Sequence, residues 1–123
     1  MLLTFKGRKS GRIFTTPVRY LRHEGKIRCF TASSNQWWRN LRGGTDVSLR
    51  VGGRDVQCHA EAIADDPRRI RPALEDFLSQ FPQDAAYYNV QLDDRRRGLA
   101  SDLDQAATRT VMVEASPYPE HAV

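Results

Sequence analysis

The chain has few of the residues that carry chemistry unaided. Its two cysteines, Cys29 and Cys58, form no CxxC and show no paired spacing, which argues against a zinc knuckle, an iron–sulfur site and a disulfide scaffold. The three histidines, His23, His59 and His121, share no ligand spacing, so no metal centre is expected. No serine sits in a G-x-S-x-G elbow, and the glycines form neither G-x-G-x-x-G nor G-x-x-x-x-G-K-[ST]. No apolar run approaches the roughly 18 residues of a membrane span. The opening Met1-Leu2-Leu3-Thr4-Phe5-Lys6 is too short for a signal peptide. The expectation is a cytoplasmic protein with no transmembrane segment.

What is present suits one soluble domain. The chain has 123 residues, 40% hydrophobic and 28% charged, a composition far from that of a disordered protein. A chain of this size buries roughly two thirds of its unfolded surface and needs no staple. The net charge of +4 is unevenly placed. Residues 1–60 hold 12 Lys/Arg against 3 Asp/Glu, and residues 61–123 hold 7 against 12, so the halves carry +9 and −5. A basic first half suggests an anionic ligand: a phosphorylated cofactor, a nucleic acid or a membrane surface. Of the 19 basic residues 16 are Arg, whose planar fork suits phosphate and carboxylate. Most of them nonetheless read as solvating strand faces.

Strands are expected at 2–5, 12–21, 26–32, 45–51, 54–64 and 108–115, rich in β-branched and aromatic residues and separated by glycine turns. Pro17 within the second marks an edge, a bulge or a close approach. Ser33-Ser34-Asn35 offers caps for a short helix from Gln36 to Arg42, closed by Gly43-Gly44. Asp66-Pro67 starts a helix whose Ile70, Leu74, Phe77, Leu78 and Phe81 follow the helical period, with Pro72 kinking or restarting it. Short helical pieces are read at 85–90 and 101–109, with Arg95-Arg96-Arg97 a solvated loop between them. Hairpins with few helices give an α+β, mainly β fold. The expected architecture is a six-stranded antiparallel split barrel with two or three peripheral helices, one domain over 1–116 and a loose tail at 117–123.

Three groups could carry chemistry. Gly7-Arg8-Lys9-Ser10-Gly11-Arg12 exposes backbone N–H groups beside three cations and a hydroxyl, which can hold a phosphate or carboxylate; the alternative is a solvated basic hairpin. Trp37 and Trp38 stand on one short helix and point about 100° apart. Either both pack in the core, or Trp37 is buried while Trp38 lines a groove that takes a planar ring. Tyr87 and Tyr88 form a third aromatic group, and a Tyr hydroxyl can donate to a carbonyl or nitro oxygen; a half-buried surface pair is the plainer reading. Cys29 and Cys58 fall on apolar strand faces, where packing is the default. With so few acid–base groups, a cofactor that brings its own reactivity is expected.

Leu2 to Arg12, followed by Thr15-Thr16-Pro17-Val18-Arg19-Tyr20, Thr31-Ala32-Ser33-Ser34, Trp37-Trp38-Arg39-Asn40-Leu41-Arg42 and Asp46-Val47-Ser48-Leu49-Arg50-Val51, resembles the deazaflavin-dependent nitroreductase and quinone reductase family. The resemblance is good to about residue 81 and thinner afterwards. It implies a split β-barrel of the FMN-binding type that binds coenzyme F420, with FMN as the alternative cofactor. The implied reaction is hydride transfer to a quinone, nitro compound or activated alkene. It also implies that Arg8, Lys9, Ser10 and Arg12 hold the cofactor phosphate and its oligoglutamate tail. Ala32, Ser33 and Ser34 would contact the ring and ribityl chain, Trp38, Asn40 and Leu41 would border the groove, and Tyr88 would serve the substrate side. The shorter loop at Ser34-Asn35-Gln36 departs from the family pattern and motivates a second reading. That reading is a non-catalytic barrel binding flavin, a tetrapyrrole or a fatty acid. A nucleic-acid partner fits least, because the aromatics do not interleave with the basic strand residues. A homodimer is left open.

Overall fold

Alternation builds the sheet. In β5 (Thr45–Val51) and β6 (Arg54–Ile63) the buried side chains are every second residue, Val47, Leu49 and Val51 facing Cys58, Val56 and the start of the turn. Gly52 and Gly53 close this hairpin at φ of 58° and 78°, a conformation that favours glycine. The other strands are β1 (Leu2–Lys6), β2 (Ile13–Pro17), β3 (Tyr20–His23), β4 (Lys26–Ala32) and β7 (Thr110–Pro117). This computed structural model describes residues 1–119. All seven strands pair antiparallel in one curled sheet, in the order β2-β1-β5-β6-β7-β4-β3.

The strand expected at 12–21 is two strands, so the sheet has seven rather than six. Pro17 closes β2 opposite Leu2, and the next amide, of Val18, donates to the Met1 carbonyl at 3.0 Å. The chain then leaves that edge. β2 and β3 are consecutive in sequence yet stand at opposite edges of the sheet. The link of Val18 and Arg19 therefore crosses the seam of a half-barrel.

Two cores flank the sheet. Leu3, Phe5, Ile27, Leu49, Val56, Cys58 and Val113 fill the barrel side with Leu41. Phe30, Ile63 and Met112 meet α1 (Pro67–Gln80) and α2 (Ala100–Ala107) on the other. β7 is buried on both faces for this reason. In α1, Asp66 caps by accepting from the Arg69 amide, Pro67 takes the first turn, and Pro72 is carried within a continuous helix. The period read from the sequence is the buried stripe: Ile70, Leu74, Phe77 and Leu78 are buried, and Phe81 at the C-cap is partly so. Each fully buried side chain of this size contributes about 1.5–3 kcal/mol.

The segment from Gln36 to Arg42 forms a 3₁₀ helix over Trp37–Leu41, not an α-helix, and no side chain of Ser33, Ser34 or Asn35 caps it. A second 3₁₀ helix covers Pro82–Tyr88. Glu114 on β7 joins α1 to the sheet. Its carboxylate lies 2.8 Å from Arg28 Nε and 2.7 Å from Arg69 Nη2, with Lys26 at 3.9 Å. Burial alone would raise its pKa, but the Arg28 hydrogen bond and charge, with Lys26 and Arg69, bring it below the ordinary 4.5. Of the tail expected at 117–123, Pro117 ends β7 and the Tyr118 amide donates to the Gln57 carbonyl at 3.1 Å. Residues 120–123, with His121, lie outside the described residues.

Candidate functional site

The basic turn is shaped by its own backbone. The Gly7 amide donates to the Arg12 carbonyl at 2.8 Å, and the Gly11 amide to Gly7 at 2.9 Å. Gly7 lets the Phe14 ring lie close, because a Cβ there would stand 2.8 Å from the ring and displace it. Ser10 Oγ accepts from the Arg12 amide at 3.2 Å. Arg8 turns inward: its amide donates to Asn40 Oδ1 at 3.0 Å, and its guanidinium to the Arg39 and Arg42 carbonyls at the end of the first 3₁₀ helix. The Arg39 carbonyl also accepts from the Arg42 amide at 3.3 Å, and the cation adds charge-assisted bonds at this helix end. Lys6, Arg8, Lys9, Ser10 and Asn40 line a shallow depression of about 600 Å³. Arg12 stands beside it with its guanidinium 5.8 Å from the Phe14 ring.

The charge of this rim is not neutralised. Among the described residues no carboxylate lies within 4.0 Å of Lys6, Arg8, Lys9, Arg12, Arg39 or Arg42, whereas Arg19, Arg28, Arg50, Arg69 and Arg71 are all paired. Clustered unpaired cations repel one another and attract an anion.

The first 3₁₀ helix reverses the expected tryptophan roles. Trp38 is 2% exposed, its Nε1 donates to the Ser33 carbonyl at 3.2 Å, and the Arg39 and Arg42 guanidinium groups cover its ring. Leu41 is fully buried in the barrel core. Neither borders a groove. Trp37 does: it is partly exposed, packs on Phe5 at 5.9 Å and faces a cavity. In a 3₁₀ helix residues three apart share one face, so Trp38 points inward with the buried Leu41.

That cavity, of about 390 Å³, opens at the barrel seam. One wall is Thr16 to Arg19; the others bring Thr31, Asn35 and Trp37 against Tyr87 and Tyr88. Arg19 Nε reaches Asp84 at 2.8 Å and so ties the seam link to the second 3₁₀ helix. Tyr88, the residue expected to act on the substrate, is buried with its hydroxyl directed to the Phe30 carbonyl at 3.4 Å. Burial, with Tyr87 and Asp84 nearby, pushes its pKa well above that of a free phenol. It supports the wall and its proton is committed. Tyr87 is 60% exposed, and its hydroxyl accepts from Asn35 Nδ2 at 3.3 Å. Ala32, Ser33 and Ser34 line a separate cavity of about 210 Å³, and Tyr87 and Tyr88 are the wall shared by the two.

Arg8, Lys9, Ser10 and Asn40 thus gather at one end of the 3₁₀ helix, with Arg12 alongside. Ala32, Ser33, Ser34 and Tyr88 gather at the other. Sequence reasoning missed Asn35, Trp37, Tyr87 and the seam link as cavity residues. Asn35 reads as a helix cap, and only the Tyr-Tyr pair signals a further aromatic wall. The cysteines hold no chemistry: burial pushes Cys29 up to about 12 and Cys58 up to about 11, so neither is a thiolate near neutral pH.

A curled antiparallel half-barrel, with an aromatic cavity at its seam and an unneutralised basic rim, has a shape and charge suited to a flat, anionic ligand. The family model described as F420H(2)-dependent quinone reductase matches residues 1–97. The chain belongs to that family and is an F420-dependent oxidoreductase. A solved structure titled F420 Reductase is similar in fold, with a TM-score of 0.50 and 13% identity over 95% of this chain and 84% of that one. No curated protein matches the sequence.

The residues fit coenzyme F420. The phosphate and oligoglutamate tail implied by the family resemblance are anionic, and the rim carries cations with no internal partner. The partly exposed Trp37 face offers the flat surface a ring needs. Lys6, Lys9 and Arg12 are the groups free to hold the tail, while Trp37 and the cavity walls would take the ring.

Proposed function

We propose that this protein reduces a quinone, with nitro compounds and activated alkenes as related acceptors, at the seam cavity. When bound, the reduced cofactor supplies a hydride; the acceptor takes that hydride and one proton, so a quinone leaves as the hydroquinone. Lys6, Lys9 and Arg12 bind the cofactor tail, with the Ser10 hydroxyl beside them. Arg8 and Asn40 brace the turn on the 3₁₀ helix. Ala32, Ser33 and Ser34, behind the Tyr87–Tyr88 wall, are read as the ring-side edge. The observation that carries this reading is the set of unpaired cations joined to an aromatic cavity through one 3₁₀ helix. Two free cysteines, buried and unpaired, agree with a reducing, cytoplasmic setting.

A fluorescence titration with F420, using FMN as competitor, tests the cofactor. A coupled assay of F420H2 oxidation by 2-methyl-1,4-naphthoquinone tests the reaction. Tight FMN binding with no F420 binding would overturn the proposal. F420 binding without turnover of any acceptor would leave a binding barrel instead of a reductase.

A further inference from the structure

We propose that the smaller cavity, lined by Ser33, Ser34 and Arg109, is an oxyanion subsite that takes a carboxylate carried by the acceptor, so that the protein favours anionic over neutral quinones. The inference rests on the reading that the acceptor ring enters the seam cavity, and it deepens that reading by naming the substrate class.

The cavity offers donors and nothing that repels an anion. Ser33, Ser34, Asn89, Arg109 and Thr110 line it, and among the described residues no carboxylate does. The Arg109 guanidinium has no ion-pair or hydrogen-bond partner among the described residues, and the Ser33 and Ser34 hydroxyls have no hydrogen bond there either. A cation just past a helix ordinarily serves its last carbonyls. Here those carbonyls are already taken. At the end of α2 the Thr108 hydroxyl donates to the Gln105 carbonyl at 2.6 Å, and the Arg109 amide to the Ala106 carbonyl at 3.0 Å. The guanidinium is left for a ligand. A carboxylate presents two oxygens to that planar fork, and hydroxyls complete its shell.

The walls are set in advance. Ala32 pairs with Thr110 in the β4–β7 ladder, and one rung further the Ser33 amide donates to the Arg109 carbonyl at 2.8 Å. Ser33 and Arg109 are therefore cross-strand neighbours. The buried Trp38 holds the Ser33 carbonyl through its Nε1. Size separates a substituent from a whole molecule. The volume of about 210 Å³ falls below the roughly 300 Å³ at which pockets take an entire small molecule, whereas the seam cavity of about 390 Å³ lies above it. The two cavities meet at Tyr87 and Tyr88, and Tyr87 is 60% exposed. A ring in the seam cavity can lay one substituent across Tyr87 into the donor-lined space. The basic rim stands at the other end of the first 3₁₀ helix, so the cofactor tail and this carboxylate do not share a site.

The test is calorimetric titration of the full chain with 2-naphthoate and with 2-naphthamide, which have nearly the same shape and differ in charge. The wild type is expected to favour the naphthoate about tenfold, and raised salt should shrink that preference. Arg109→Gln is expected to abolish the preference and leave naphthamide affinity unchanged. Arg109→Lys, which keeps the charge without the fork, should retain part of it, and Ser34→Ala should lower it about threefold. Arg97→Gln removes an exposed cation elsewhere and should change nothing. Equal affinity for both probes in the wild type, wild-type preference in Arg109→Gln, or an equal loss in Arg97→Gln would each overturn the proposal. Acetate binding as tightly as 2-naphthoate would also overturn it, since the site would then take a free anion instead of a substituted ring. Thermal unfolding identifies any variant that fails to fold. If Arg109→Gln does, Arg109→Lys and Ser34→Ala decide, and an unchanged preference in both overturns the proposal. F420 titration is scored separately. Failure of the wild type to bind F420, with the naphthoate preference behaving as described, would remove the cofactor reading and leave the oxyanion subsite standing. Loss of F420 affinity in Arg109→Gln with naphthoate affinity intact would assign Arg109 to the cofactor and overturn the proposal.

Discussion

Arg8 Nη2 lies 2.5 Å from the Arg42 carbonyl oxygen, so one cation of the basic turn is already committed to the end of the first 3₁₀ helix. The turn divides into a brace and a set of free charges. Arg8→Ala is expected to lower stability by about 1 kcal/mol, since the bond is charge-assisted but exposed, and to lower Tm by several degrees. Lys6→Ala with Lys9→Ala should leave Tm unchanged and weaken F420 binding about tenfold at low salt. That loss should shrink as salt rises and screens the rim. Thermal melts and fluorescence titrations at two ionic strengths check both.

The two tryptophans should separate stability from binding. Trp38→Ala empties a core position beneath two guanidinium groups and is expected to cost about 3–5 kcal/mol in a denaturant titration. Trp37→Ala should cost under half of that and weaken F420 binding more than it weakens folding. An unchanged affinity in Trp37→Ala would place the ring elsewhere.

Glu114 gives the fold an acid sensitivity of predictable sign. Its folded pKa is lowered, so its contribution is present above the unfolded value near 4.5 and is lost as pH falls through the lower folded value. The wild type should lose Tm progressively below about pH 4.5. Glu114→Gln should be flatter across that window. At pH 7 it should be less stable by about 3 kcal/mol, because Arg28 and Arg69 lose their carboxylate.

Leu74 is fully buried between α1 and the sheet. Leu74→Ala is expected to destabilise by about 2–5 kcal/mol without altering F420 affinity, which a melt and a titration would show together. A milder cost would mean that Phe77 and Leu103 collapse into the space.

The parts legible in the sequence are those governed by a period or a cap. Asp66-Pro67 and the Ile70–Leu74–Phe77 spacing locate α1, and alternation locates β5 and β6. Where long-range pairing decides, the sequence is silent. Nothing near Pro17 says that Val18 and Arg19 leave one edge for the other; that follows from β1 capturing β2 while β4 captures β3. Which of Trp37 and Trp38 turns inward is decided by the face that Trp38 shares with Leu41 on the docked 3₁₀ helix, which two adjacent identical residues cannot reveal. Asn35 looks like a cap in sequence, and its actual partners, Thr31 and Tyr87, come from a strand and a distant helix.

The seam has a mechanical consequence. Because Val18 and Arg19 join the two edges directly, the covalent chain acts as a tether across the mouth of the cavity. Three residue steps from Pro17 to Tyr20 reach at most about 10 Å. The sheet can breathe within that leash, but it cannot unroll without first tearing β2 from β1 or β3 from β4.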